Sequence, residues 1–223
     1  MLIADAPPYW NGPQLAGNWD VIRYYTAQHI RFTLIAVGLG VLVAFPIAYL
    51  AHRRPLLYPP LLAATNVIYA IPSLALFALL GPFLGYTNDK PIIVAMALYT
   101  LVILVRNIVE GLRAVPRSVT DAATGLGYSR FRRFLAVELP LAVPTIIAGL
   151  RLATVSTISL ITVGGAIGKG ALGRMFADGI DRQIPVQLWA GVFAVVVLAL
   201  VADVALLLIG RVLTPWTRAV RPG

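Results

Sequence analysis

Residues 188–209 read LWAGVFAVVVLALVADVALLLI, an apolar run whose one charged side chain is Asp203. Wound as a helix, a run of this length extends roughly 33 Å, enough to cross the ~30 Å hydrocarbon core of a bilayer. Four comparable runs lie upstream, at 33–51, 61–80, 92–108 and 143–165. The fold class that follows is all-α: a polytopic membrane protein of about five transmembrane helices. No stretch keeps a strand's alternation, and there is no internal repeat. Pro59 and Pro60 suit the first turn of the second run, where a missing N–H is harmless, whereas Pro46 and Pro72 fall inside helices and should kink them.

Composition points the same way. The chain is 59% hydrophobic and 12% charged, with a mean hydropathy of +0.85, too little polar surface for a soluble globule of its size. Its net charge of +9 and pI near 10.4 do not indicate nucleic acid, because the basic residues sit between apolar runs instead of alternating with aromatics along a groove. With no cysteine and only His29 and His52, no thiolate site, disulfide frame or zinc cluster is expected. The first residues carry Asp5 and Asp20 and lack both a basic leader and an apolar core. They do not read as a cleavable signal peptide, so the first transmembrane helix is expected to direct insertion.

Basic residues set the orientation. Arg53 and Arg54 follow the first run, Arg106, Arg113, Arg117, Arg130, Arg132 and Arg133 follow the third, and Arg211, Arg218 and Arg221 follow the fifth. Those segments should be cytoplasmic, with the N-terminus outside and the C-terminus inside. The opposite loops hold Arg23, Arg31, Lys90, Lys169, Arg174 and Arg182, offset by Asp20, Asp89, Asp178 and Asp181. The expected organisation is an external tail and interfacial segment over 1–29, a transmembrane body over 30–215 and a cytoplasmic tail over 216–223. Tyr9, Trp10, Trp19, Tyr24 and Tyr25 fit an outer interfacial belt against membrane lipid.

The segment 110–141 is long for a connection between helices. Ser118 is placed to cap a short helix with Asp121 at its third position, a capping-box-like arrangement with Asp in place of Glu or Gln. Ala122 and Ala123 offer a surface for close approach. Gly125 and Gly127 should end or bend the helix before 128–136 starts another.

Asp121-Ala122-Ala123, Gly127 after three residues, and Val137-Glu138-Leu139-Pro140 after nine more resemble the EAA motif of binding-protein-dependent ABC importer permeases. Asp replaces Glu at the first position and Val replaces Ile before Leu139-Pro140. The run from Asn66 to Leu76, Leu104-Val105-Arg106-Asn107, Gly111-Leu112-Arg113, Ala148-Gly149-Leu150-Arg151 and the GKGALG of 168–173 are similar to the osmoprotectant permeases. These take up glycine betaine, carnitine, choline or proline. The resemblance implies a type I importer fold, with 110–141 as the coupling loop that docks on an ATPase. It implies as partners a second permease subunit, two cytoplasmic ATPase subunits and an external substrate-binding protein. ATP and Mg would then be held by the ATPase, with no cofactor in this chain. A permease for another small cargo such as methionine is the runner-up, and a self-sufficient secondary transporter is a more distant alternative.

The run 164–170, GGAIGKG, is not a phosphate-binding loop, because the early Gly falls on Val163 and no Ser or Thr follows Lys169. Gly125 and Gly127 lack a third glycine for a dinucleotide fingerprint, and no nucleophile or paired carboxylates indicate catalysis. Asn66, Tyr69 and Ser73, at i, i+3 and i+7, form a polar stripe that either lines the translocation path or hydrogen-bonds neighbouring helices. Tyr99, Ser156 and Ser159 are weaker candidates of the same kind. A quaternary ammonium cargo would favour the aromatic faces of Tyr69 and Tyr99. Asp203 requires a partner within the membrane, and Arg151 and Arg106 are nearest in depth.

Overall fold

The structure, a computed structural model, describes residues 19–218. Among these residues there is no strand. Helix α1 runs over Trp19–Arg53 and keeps Pro46 inside it. A 3₁₀ turn at Pro55–Leu57 leads into α2, Tyr58–Ala70, which carries Pro59 and Pro60 in its first turn as expected. Then come α3, Ser73–Leu84, and α4, Lys90–Arg113. A compact segment follows: α5, Arg117–Gly125, and α6, Arg130–Arg133, widening into a π turn at Phe134–Glu138. Helix α7, Leu139–Ile161, continues into a 3₁₀ segment at Thr162–Ile167. The last two helices are α8, Leu172–Asp181, and α9, Pro185–Leu213.

Four of the helical runs, Trp19–Arg53, Lys90–Arg113, Arg130–Ile167 and Pro185–Leu213, are long and apolar enough to cross a membrane. The second expected span differs from the sequence reading. Instead of a kinked helix over 61–80, the chain leaves α2 at Ala70, passes through extended backbone at Ile71 and Pro72, and resumes as α3 after a bend of 96°. Pro72 explains the start of the break, since it disfavours helical backbone at the residue before it. The Tyr99 hydroxyl explains its completeness by donating to the freed Ile71 carbonyl. The stripe of Asn66, Tyr69 and Ser73 is therefore not one helical face, because Ser73 opens α3. The aromatic residues Trp19, Tyr24 and Tyr25 lie on the first turns of α1, within the segment 1–29 expected to be interfacial; Tyr9 and Trp10 fall outside the described residues.

The chain divides into two compact units, and it changes unit five times, at 36/37, 71/72, 96/97, 155/156 and 200/201. Each change falls inside one of the five expected spans, including the broken one. In the unit made of 37–71, 97–155 and 201 onward, Ala44, Ala48, Ala51, Ala142 and Ala153 pack with Leu104, Val105, Ile108 and Leu112. Small residues let the helix backbones approach, which is how membrane helices gain contact without a hydrophobic drive between them. Gly149 is one such position, where an added Cβ would collide with Asn107.

Candidate functional site

Helix α5 starts at Arg117, and Pro116 is its N-cap, with no side-chain cap hydrogen bond. The expected Ser118 cap is therefore corrected: Ser118 is the second helical residue, and Asp121 lies beyond the first turn. Pro116 suits the N-cap, with φ −60° and ψ 137°, and Pro has no N–H to leave unsatisfied there. Thr120 and Thr124 turn their hydroxyls back to the carbonyls of Arg117 and Thr120, both at 2.8 Å. The helix stops in a Schellman arrangement: the Tyr128 N–H donates to the Ala123 carbonyl at 3.1 Å and the Gly127 N–H to Thr124 at 3.0 Å. Gly127 sits at φ +80°, the left-handed region, and is the residue this ending requires. Gly125 is the last helical residue, with open space where a Cβ would stand, so it does not break the helix. Ser129 caps the next helix, its hydroxyl accepting from the Arg132 N–H at 3.3 Å.

Together these elements hold an open, mostly apolar cavity of about 370 Å³ lined by Ser118, Val119, Ala122, Ala123, Leu126 and Val137. Ala123 is buried at its base, while Leu126 is 78% exposed. Small side chains on one helix beside a bare Leu make a surface that a partner can cover.

Behind this surface lies a charge cluster that sequence reasoning missed. Glu138, 2% exposed, accepts from Arg133 Nε at 2.7 Å, faces His52 Nε2 at 3.2 Å and has Arg53 Nη1 at 3.8 Å. A lone buried carboxylate would cost several kcal/mol, so this concentration of donors is what permits its burial. Arg133 also donates to the Thr124 hydroxyl at 2.8 Å, and Arg53 to the Arg130 carbonyl at 2.9 Å. Leu139, just past the π turn, donates its N–H to the Phe134 carbonyl five residues back, and Pro140, with no N–H, follows immediately. Only the acid in the Val137-Glu138-Leu139-Pro140 string signals this cluster in the sequence; His52 lies 86 residues away.

Arg151 meets Asp203 through two parallel hydrogen bonds, Nε to Oδ1 at 2.8 Å and Nη2 to Oδ2 at 2.7 Å. Arg106 is not the partner; it pairs with Glu110 one turn away at 2.8 Å. The fork geometry fits a carboxylate in a way that a single ammonium would not. Arg151→Ala and Asp203→Ala are each expected to lower the yield of folded, detergent-extracted protein at least about threefold, because either leaves a charge alone at membrane depth. The exchanged pair Arg151→Asp/Asp203→Arg should recover part of that yield, measured by size-exclusion chromatography. Recovery no better than the single changes would contradict a paired role.

Of the residues proposed for a path, Tyr69 and Tyr99 come together, edge to face with ring centroids 5.4 Å apart. Tyr99 is buried and Tyr69 is 46% exposed. Asn66 shares α2 with Tyr69, whereas Ser73, Ser156 and Ser159 belong to the other unit. Among the described residues no group of three or more His, Cys, Asp or Glu is arranged to hold a metal ion.

A solved structure of the MetNI methionine ABC transporter in an inward-facing conformation superimposes with a TM-score of 0.79 at 20% identity, covering 92% of this chain and 100% of that one. That likeness is one of fold, and it defines the architectural class: the helical, type I importer fold. The chain belongs to the family described as the binding-protein-dependent transport system inner membrane component, whose model matches residues 36–219. It is 36% identical over 201 residues to the choline transport system permease protein OpuBB of Bacillus subtilis (strain 168), covering 90% of this chain and 92% of that one. It is 34% identical over 202 residues to the osmoprotectant import permease protein OsmW of Salmonella typhimurium (strain LT2), covering 89% and 94%. The carnitine transport permease protein OpuCB of Listeria monocytogenes is 34% identical over 198 residues, covering 89% and 90%.

Proposed function

We propose that this permease moves a compatible solute, of the class of choline, glycine betaine, carnitine or proline, inward by alternating access driven by ATP. The observation that carries the coupling part is the open apolar surface of α5, rigidly ended at Gly127, at the positions of the EAA-like motif. In this reading α5 seats in a cleft of an ATPase subunit, which binds ATP and Mg. The assembly pairs two permeases with two ATPases and receives solute from an external binding protein. The relatives at 34–36% identity carry choline, osmoprotectant and carnitine in their names, which supports the cargo class. The methionine alternative has weaker support, because at 20% identity the MetNI likeness extends to fold alone. The Tyr69–Tyr99 pair is the feature best suited to a quaternary ammonium ion on its way through.

Binding by the cognate secreted protein, measured across choline, glycine betaine, carnitine, proline and methionine, tests the cargo. Tight binding of one of the first four is expected, and binding of methionine alone would reject the reading.

The orientation proposed is N-terminus outside, with α5 and the C-terminus cytoplasmic. Arg53, Arg54 and the basic residues from Arg106 to Arg133 all fall in one unit, which supports placing them on one side of the membrane. The chain has no native cysteine, so single cysteines report without background. In intact cells, Arg182→Cys should react with an impermeant thiol reagent and Ser118→Cys should not. The reverse pattern would invert the topology.

A further inference from the structure

We propose that Glu138 is a positioning residue through which movement of α5 is passed to α1 and α7, so that it governs how much transport each hydrolysed ATP yields. The inference rests on the coupling role proposed for α5. A docked helix joined to its spans only by flexible loops would move without carrying them. Here a chain of hydrogen bonds removes that freedom. Thr124, on the last turn of α5, accepts from Arg133, and Arg133 donates from its other face to Glu138 Oε1. Glu138 Oε2 faces His52 at the end of α1, so the two carboxylate oxygens tie different elements.

Arg53 completes the link, lying 5.2 Å from the Tyr49 ring and 6.0 Å from the Phe134 ring while reaching the Arg130 carbonyl. Tyr49 and Phe134 meet edge to face at 4.6 Å. Glu138 closes a five-residue π turn directly before α7. Such turns in α-helices are uncommon and recur at functional sites. Because the carboxylate is buried, water cannot readily replace a lost partner, so the links yield together.

A role as mere structural glue would lower ATPase activity and uptake in parallel, whereas a transmitting role separates them. The test uses the complete complex of permease, ATPase subunits and binding protein in proteoliposomes, with radiolabelled choline or glycine betaine as cargo. Glu138→Gln keeps the size and removes the charge; Thr124→Val removes the link from α5, together with the hydroxyl's own bond to the Thr120 carbonyl within the helix, and sits on an exposed residue. Expected are unchanged co-purification of the ATPase and a fall in uptake per ATP hydrolysed of about tenfold for Glu138→Gln and about threefold for Thr124→Val.

An unchanged ratio in both, or loss of ATPase association in Glu138→Gln, would overturn the proposal. If Glu138→Gln does not reach the membrane, Thr124→Val alone decides. Ala123→Trp, run alongside, separates the two readings. If it releases the ATPase while the Glu138 and Thr124 changes leave the ratio intact, only the Glu138 role fails. If it leaves association and uptake normal, the α5 reading itself fails.

Discussion

Ala123→Trp is expected to abolish stable retention of the ATPase subunits and to reduce ATP-dependent uptake at least about a hundredfold. Ala123 is 6% exposed at the base of the α5 cavity, so an indole there fills the space a partner would enter and pushes against Val137. Overpacking of this kind typically costs about 1–3 kcal/mol within the chain, and a lost docking contact adds to it. Gly127→Val acts differently. It places a β-branched residue at φ +80°, a conformation that costs about 1–2 kcal/mol outside glycine, and so loosens the end of α5 without filling the cavity. A smaller loss of uptake, at partial ATPase retention, is the expected result. If α5 were not a docking surface, the same costs within the chain would leave ATPase retention and uptake per folded complex close to those of the parent. Co-purification ratios and proteoliposome uptake distinguish the two accounts.

Gly173→Ala is expected to be among the most destabilising single-methyl additions in the chain. The GKGALG stretch packs α8 against the 3₁₀ segment Thr162–Ile167 so closely that a Cβ on Gly173 would run into the Thr162 backbone, and one on Gly165 into the Gly173 carbonyl. Backbone atoms cannot swing aside as a flexible side chain can. A loss of about 3 kcal/mol is therefore expected, the upper end for overpacking. Two residues away the sign reverses. Ala171 is held at φ +48°, which disfavours any residue with a Cβ, so Ala171→Gly should raise stability by up to about 1 kcal/mol. Thermal unfolding of the detergent-solubilised protein should rank Ala171→Gly at or above the parent and Gly173→Ala well below it; the opposite order would contradict the packing.

What the sequence made legible is what depends on local chemistry. The 188–209 run announces α9 because an apolar stretch as long as a bilayer is thick rarely occurs in a chain that folds in water. Gly127 was legible as a helix end because few other residues take a positive φ easily. The Asp203–Arg151 pair was legible from depth, although depth alone left Arg106 open, and it is Glu110 that holds Arg106. Other features depend on contacts between distant segments. Pro72 predicts a kink, but a full break needs the Tyr99 hydroxyl to take up the Ile71 carbonyl from 28 residues away. Ser118 matched a capping pattern, yet Pro116 sets the start of α5. The Glu138 cluster joins α1 to the π turn, and no short-range spacing encodes it. The GKGALG glycines could be matched by resemblance, but their reason, backbone touching backbone, emerges only in three dimensions.

The central claim, that this chain is the permease of an ATP-driven importer for compatible solutes, is tested most directly by uptake into proteoliposomes holding the complete complex. The account predicts that radiolabelled choline or glycine betaine accumulates only when ATP and Mg are supplied to the ATPase face and the loaded binding protein to the opposite face. It also predicts that collapsing proton and sodium gradients leaves the rate unchanged. Accumulation by the permease alone, driven by an ion gradient without ATP, would contradict it.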